Sequence, residues 1–110
     1  MKTFVHSNAR VFQPHGRLDA ESGTELRQEI EKFCRNNETL ILLDMSEISF
    51  TNSAGLGLLV AIFKDIKKIG GKIVLANLHP TVSDLFEVTQ LNKIFAVYPN
   101  IHEAVQALKS

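Results

Sequence analysis

The sequence has no tryptophan, a single tyrosine, three prolines and a single cysteine, Cys34. One thiol cannot close an internal disulfide, and no metal-ligand spacing can be built from it. Its neighbours Leu26, Ile30 and Phe33 predict a core thiol rather than a reactive one. An excess of one charge is also lacking, because 12 basic and 12 acidic side chains balance. A neutral chain has no general attraction to nucleic acid or to anionic membranes, and no basic stripe with interleaved aromatics is present. Long hydrophobic runs are missing as well. The longest apolar stretch, 56–63, falls far short of the ~20 residues that cross a bilayer. Residues 1–5 lack the apolar run of a signal peptide. These absences predict a reducing, cytoplasmic setting without cofactor, metal, nucleic acid or membrane.

What is present is a core. Apolar residues make up 45% of 110 residues, which suits one compact domain spanning 1–110 and is too little chain for two. Strand-like and helix-like segments alternate, the pattern of an α/β domain. Strands are predicted at 2–6, 10–15, 39–44, 72–76 and 94–98. The second ends at Pro14 and Gly16, and the third is a continuous apolar run suited to a central strand covered on both faces. Helices are predicted at 23–35, 54–68 and 80–88, with a final one carrying Ile101, Ala104, Val105 and Leu108. Ser22 followed by Glu25 has the spacing of a capping box for the first helix. The order β-β-α-β-α-β-α-β-α implies a mixed, mostly parallel sheet of about five strands with about four helices, the first two strands pairing antiparallel at an edge.

The segment 43–60 carries the most information. A strand ends at Asp44, and Met45, Ile48 and Phe50 are apolar enough to anchor the next loop in the core. Thr51, Asn52 and Ser53 are three consecutive helix N-cap residues. Gly55 and Gly57 then occupy the first turns of the helix, at about 1 kcal/mol each relative to alanine. Such a cost points to a close approach to the backbone, by another element of the fold or by a partner. The first amides of this helix have no intrahelical acceptor and its dipole is positive there, so an anion at Ser53 would be tolerated. Read locally, Ser53 is as well explained as a simple cap as it is as a phosphorylated residue. Further along, Leu59, Ile62, Ile66 and Ile69 form a stripe predicted to face the sheet. Leu56, Val60 and Phe63 form a second stripe. Phe63 is expected under a neighbouring helix and Leu56 is expected to be partly exposed.

The same segment closely resembles the signature of the STAS family. That signature runs Asp-x-Ser, an apolar-aromatic pair, then Asp-Ser-(Ser/Thr/Ala)-Gly-Leu-Gly. Here it is Asp44-Met45-Ser46, Ile48, Phe50, then Asn52-Ser53-Ala54-Gly55-Leu56-Gly57. Gly16-Arg17-Leu18-Asp19 resembles the family's Gly-x-Leu-Asp. Lys67-Lys68-Ile69-Gly70-Gly71 and Leu85-Phe86-Glu87-Val88-Thr89 resemble its second-helix turn and third-helix end, so the likeness covers nearly the whole chain. The resemblance implies an anti-sigma-factor antagonist without catalytic residues. Its unmodified form would bind an anti-sigma factor that is also a serine kinase, that kinase would phosphorylate Ser53, and a metal-dependent serine phosphatase would restore it. Asp19 matches a family carboxylate near that serine. The expected partner surface comprises Asp19, Ala20, Ser22, Thr51, Asn52, Ala54, Gly55 and Leu56 on a protein that is monomeric when free. One departure is Asn52, where the family has Asp: the cap is kept and a negative charge beside the hydroxyl is lost.

Three other readings compete. A hydrolase elbow Gly-x-Ser-x-Gly would centre on Ser53, but Thr51 replaces its first glycine, and His6, His15, His79 and His102 have no triad context. A receiver-type domain would use Asp44 as phosphoacceptor, yet residues 3–7 offer no acidic pair. A STAS domain that takes no phosphate and serves a transport complex is the third, and Asn52 gives it some weight. The lysines 64, 67 and 68 read as a solvated face near a helix C-terminus, Glu29 and Lys32 as a weak surface pair, and His15 and His79 as loop residues.

Overall fold

The computed structural model describes residues 1–109. The first strand, β1 (Lys2–His6), turns back into β2 (Ala9–Gln13). The two-residue turn places Ser7 and Asn8 at φ 49° and 72°, the left-handed pair that matches strand twist in tight hairpins. Pro14 ends β2, because it has no N–H to give a ladder. The chain then forms a separate strand, β3 (His15–Leu18), where the sequence suggested only a lead into the helix. His15 therefore opens a strand and does not lie in a loop.

Helix α1 (Ala20–Arg35) starts three residues earlier than predicted. Its N-cap is Asp19, not Ser22. The Ser22 amide donates to Asp19 Oδ1 at 3.1 Å and the Asp19 amide donates to Ser22 Oγ at 3.0 Å. The capping box is real, but Asp-x-x-Ser wins over Ser-x-x-Glu one turn later, because Asp19 supplies an acceptor directly after the strand.

Strand β4 (Leu40–Asp44) is followed by a further unpredicted strand, β5 (Glu47–Thr51), and then by α2 (Ser53–Lys68). Strand β6 (Lys72–Ala76) and helix α3 (Pro80–Val88) match the sequence reading. The last strand, β7, is only Val97–Tyr98. The residues expected to extend it follow a 3-10 turn at Leu91–Lys93, where Ile94 and Phe95 bond back to the Leu91 carbonyl. Helix α4 (Ile101–Lys109) closes the fold.

The main sheet runs β1-β2-β4-β6-β7, antiparallel in its first pair and parallel elsewhere, as expected. Strand alternation sends Phe12, Ile41, Leu43, Ile73 and Leu75 to the face covered by α1, α2 and α3. Val11, Leu42, Val74 and Ala76 go to the opposite face, under Ala104, Val105 and Leu108 of α4. Leu59, Ile62 and Ile66 are buried as predicted, but Ile69 is 52% exposed. It is the C-cap of α2, where the helix has already unwound. Phe63 is half-buried, its ring edge-on to Phe95 at 5.3 Å in the stretch before β7, and it lines one cavity with Ala107 and Leu108 of α4. Cys34 is half-buried.

Candidate functional site

Strands β3 and β5 form a second, two-stranded parallel sheet. His15 pairs with Glu47 and Gly16 with Ile48, after which Arg17 pairs with Phe50 and Leu18 with Thr51. Ser49 is thus an extra residue, a bulge. A bulge reverses which side chains face inward. Met45 and Ile48 are buried as expected, but Phe50 is turned out and is 38% exposed, while Thr51 faces in at 5%. The expectation that Phe50 anchors this segment in the core is overturned by that one residue.

The ladder aligns the starts of two helices. The residues after the last pair, Leu18 and Thr51, are Asp19 and Asn52, and these are the N-caps of α1 and α2. The Asn52 side chain accepts from the Gly55 amide at 2.9 Å, so the helix start survives with Asn in place of Asp. Ser53 is the first helical residue and is exposed. Its hydroxyl has no hydrogen-bond partner among the described residues. Beyond the caps, Leu58 lies against Gly23 and Arg27 forks onto Asp65 at 2.8 and 3.0 Å, so α1 and α2 run side by side in the same direction.

Inward-facing residues fix this arrangement. Thr51 Oγ1 donates to the Leu18 carbonyl at 3.0 Å. A β-carbon on Gly55 would collide with that carbonyl oxygen and lie 2.8 Å from Thr51 Oγ1. The close approach read from the sequence is therefore made by the fold itself at Gly55. At Gly57 nothing lies within 4 Å. Leu56 is buried at 8%, contrary to the expectation of partial exposure, because it belongs to the core cluster that also holds Ile48 of β5 and Val82 and Phe86 of α3. The predicted surface thus divides. Ala20, Asn52, Ser53 and Ala54 are exposed, Asp19 and Ser22 are half-buried, and Thr51, Gly55 and Leu56 lie inside and shape the surface from beneath.

Hydrogen bonds from the Ser22 amide, then from the Ser22 hydroxyl, with the nearby Arg17 charge, hold the Asp19 carboxyl below the usual carboxylate range. Asp19 is therefore an anion beside Asn52 at neutral pH. Arg17 itself stacks on Phe50, its Cζ 3.9 Å from the ring centroid. Behind the site, Asp44 is buried at the end of β4. Burial opposes its charge, but donors from Asn77 (3.0 Å), the Ser46 amide (3.1 Å) and Gln13 (2.7 Å) outweigh it and hold the carboxyl below its ordinary value. Asp44 thus ties β2, β4 and the end of β6 together. His79, at the N-cap position of α3, bonds the Ser46 carbonyl at 2.7 Å through its ring. Among the described residues no group of histidine, cysteine and carboxylate side chains could hold a metal ion, and no histidine bonds Ser53. No described helix is long and apolar enough to cross a membrane.

An asparagine-capped helix that opens on an exposed serine, beside an aspartate-capped one, both launched from one parallel ladder, matches a known family. The STAS domain model matches residues 1–104. The chain belongs to the STAS family. A Bacillus subtilis anti-sigma-B factor antagonist is 31% identical over 91 residues, covering 83% of each chain. The STAS fold here is also similar to the crystal structure of TM1081 of Thermotoga maritima, a candidate anti-sigma factor antagonist. The TM-score is 0.91 at 23% identity, over 99% of this chain and 94% of that one. A third similarity is to the Bacillus cell fate determinant SpoIIAA, solved in its phosphorylated form, with a TM-score of 0.73 at 22% identity over 96% of both chains.

Sequence reasoning missed two features of this STAS site: the outward Phe50 and the strand pairing that places it. The alternation Ile48, Phe50 gave no sign of a bulge. The polar Ser49 between them is compatible with either arrangement.

Proposed function

We propose that this protein is a phosphorylation-switched anti-sigma-factor antagonist. Its unmodified form binds an anti-sigma factor with serine-kinase activity and so frees a sigma factor. Phosphate on Ser53 ends the interaction, and a serine phosphatase restores it. The role follows that of the Bacillus subtilis and other curated relatives, which are anti-sigma factor antagonists. The setting is cytoplasmic and the free protein is a monomer.

The observation that carries this reading is exposed Ser53, the first residue of α2, whose hydroxyl has no hydrogen-bond partner among the described residues. Ser53, Ala54 and Gly57 are the exposed residues of the first turns, and all are small. A partner surface can approach this helix end closely. A phosphoserine there adds about −1.5 to −2 charges, next to the ionised Asp19. Burying that charge against a partner without a matched cation costs several kcal/mol. A loss of about 4 kcal/mol weakens binding about a thousandfold, so charge alone suffices and no large movement is required.

Intact-mass analysis of protein from its own cells should find one added phosphate, lost in Ser53→Ala. In a titration with the purified anti-sigma factor, Ser53→Ala should bind like the unmodified protein and Ser53→Asp weakly. Equal affinity of the two variants would defeat the switch. Similarity to the murine Slc26a9 anion transporter, at 23% identity, concerns the fold alone.

A further inference from the structure

Four arginines are present, at positions 10, 17, 27 and 35. Three are spent on carboxylates within the chain: Arg10 on Glu38, Arg27 on Asp65 and Arg35 on Glu31. Arg17 is different. It is exposed and makes no ion pair among the described residues, although its charge reaches Asp19. Its guanidinium carbon sits over Phe50, 3.9 Å from the centroid of an exposed aromatic ring that the Ser49 bulge has turned outward.

Each half of this pair has a surface left to offer. A large aromatic side chain on a strand next to the core loses burial by facing water. A guanidinium stacked on a ring keeps its in-plane N–H groups free, and these match a carboxylate in a two-pronged fashion. The backbone holds both residues in place, since Arg17 and Phe50 are register partners one step before the Leu18–Thr51 pair that launches α1 and α2. The Arg17 carbonyl is tied as well, by the Ser22 hydroxyl at 2.7 Å. Phe50 lies on β5 three residues before Ser53, the first residue of α2, so the platform adjoins the Ser53 surface.

We infer that Arg17 and Phe50 form an anchoring platform for the anti-sigma factor, taking a partner carboxylate on the Arg17 guanidinium and an apolar side chain next to it on the Phe50 ring. The platform deepens the proposed function and rests on it for the identity of the partner. It supplies affinity and selectivity apart from Ser53, which supplies the switch. Arginine and aromatic residues are the types that dominate interface energies when a partner desolvates them. Arg17 feels the Asp19 charge but makes no direct ion pair among the described residues, so its N–H groups select an acidic partner residue.

The test is a titration of the purified anti-sigma factor with unphosphorylated protein carrying Arg17→Ala, Arg17→Lys, Phe50→Ala or the double change, at two salt concentrations. Ser53→Asp and the exposed-lysine control Lys93→Ala run in parallel. Both residues of the platform are on the surface, so thermal melts should stay close to that of the unaltered protein and report any misfolding. Arg17→Ala and Phe50→Ala should each weaken binding about tenfold or more. Arg17→Lys should recover little of the loss, the double variant should lose less than the product of the singles, and Arg17→Ala should flatten the salt dependence. Lys93→Ala should bind normally. Binding of Arg17→Ala and Phe50→Ala within twofold of the unaltered protein would overturn the platform. If Ser53→Asp were still released in that case, the switch would stand without it. Loss of binding in the platform variants together with full binding of Ser53→Asp would uphold the platform and defeat the switch.

Discussion

The α-carbon of Gly55 faces the carbonyl oxygen of Leu18 so closely that no side chain fits between them. This contact sets the spacing of the two helix starts. It joins residues far apart in sequence, and it shows why a glycine sits in the first turn of a helix that would otherwise be better off without one.

Gly55→Ala should therefore destabilise the fold. Overpacking against backbone costs about 1–3 kcal/mol, and here the obstacle is a carbonyl that already accepts from Thr51. Gly57→Ala should do the opposite. Nothing lies within 4 Å of its added carbon, so the helix should gain about 1 kcal/mol. Urea unfolding of the two variants should move the midpoint in opposite directions. A rise in both would remove the role given to Gly55.

Asn52 is a cap first. Asn52→Ala should cost about 1 kcal/mol, because the Gly55 amide loses its acceptor. Asn52→Asp should change stability by less than about 0.5 kcal/mol, since the two residues cap equally well. Thermal denaturation of the pair reads this directly. A large loss in Asn52→Asp would mean that repulsion from Asp19 dominates the site.

Asp44 should give the fold a specific acid sensitivity. Its carboxyl is held below its ordinary value when folded. The stability it contributes is fully present above the unfolded value of about 3.9. It is lost as pH falls through the lower folded value. Asp19 acts in the same direction. Asp44→Ala strands the Gln13, Ser46 and Asn77 donors. It should cost about 1–3 kcal/mol at neutral pH and flatten the loss of stability below about pH 4. Unfolding curves from pH 7 to pH 2.5 would check both.

Cys34 should react slowly. Burial, with the charges of Asp65, Glu31 and Glu38, pushes its thiol above the ordinary value. Only the thiolate is nucleophilic. Iodoacetamide at pH 7.5 should label the folded protein well below the rate of free cysteine and reach that rate in denaturant. Equal rates in both states would show that the thiol is not protected.

Some of this was legible from the chain alone. The Lys2–His6 strand follows from its residue pattern, and the Lys72–Ala76 and Pro80–Val88 elements from pattern together with the Gly or Pro that opens them. The helix start after Asn52 follows from its capping residues. These are short-range effects, decided by hydrogen bonds and side-chain spacing within a few residues. The family motif singled out Ser53 for the proposed switch, where local chemistry leaves it undecided between a cap and a modification site.

The rest was set by one long-range pairing. Leu18 and Thr51 are 33 residues apart, and strands β3 and β5 exist only because they meet. That meeting puts the bulge at Ser49, turns Phe50 outward beneath Arg17, and draws Gly55 onto a carbonyl. Leu56 also ends up inside, in the core cluster with Ile48, Val82 and Phe86. A strand's inward and outward faces are defined by its partner's register, and register is a property of the assembled sheet. Sequence could name the residues around Ser53, but only the packed structure could decide which of them are exposed.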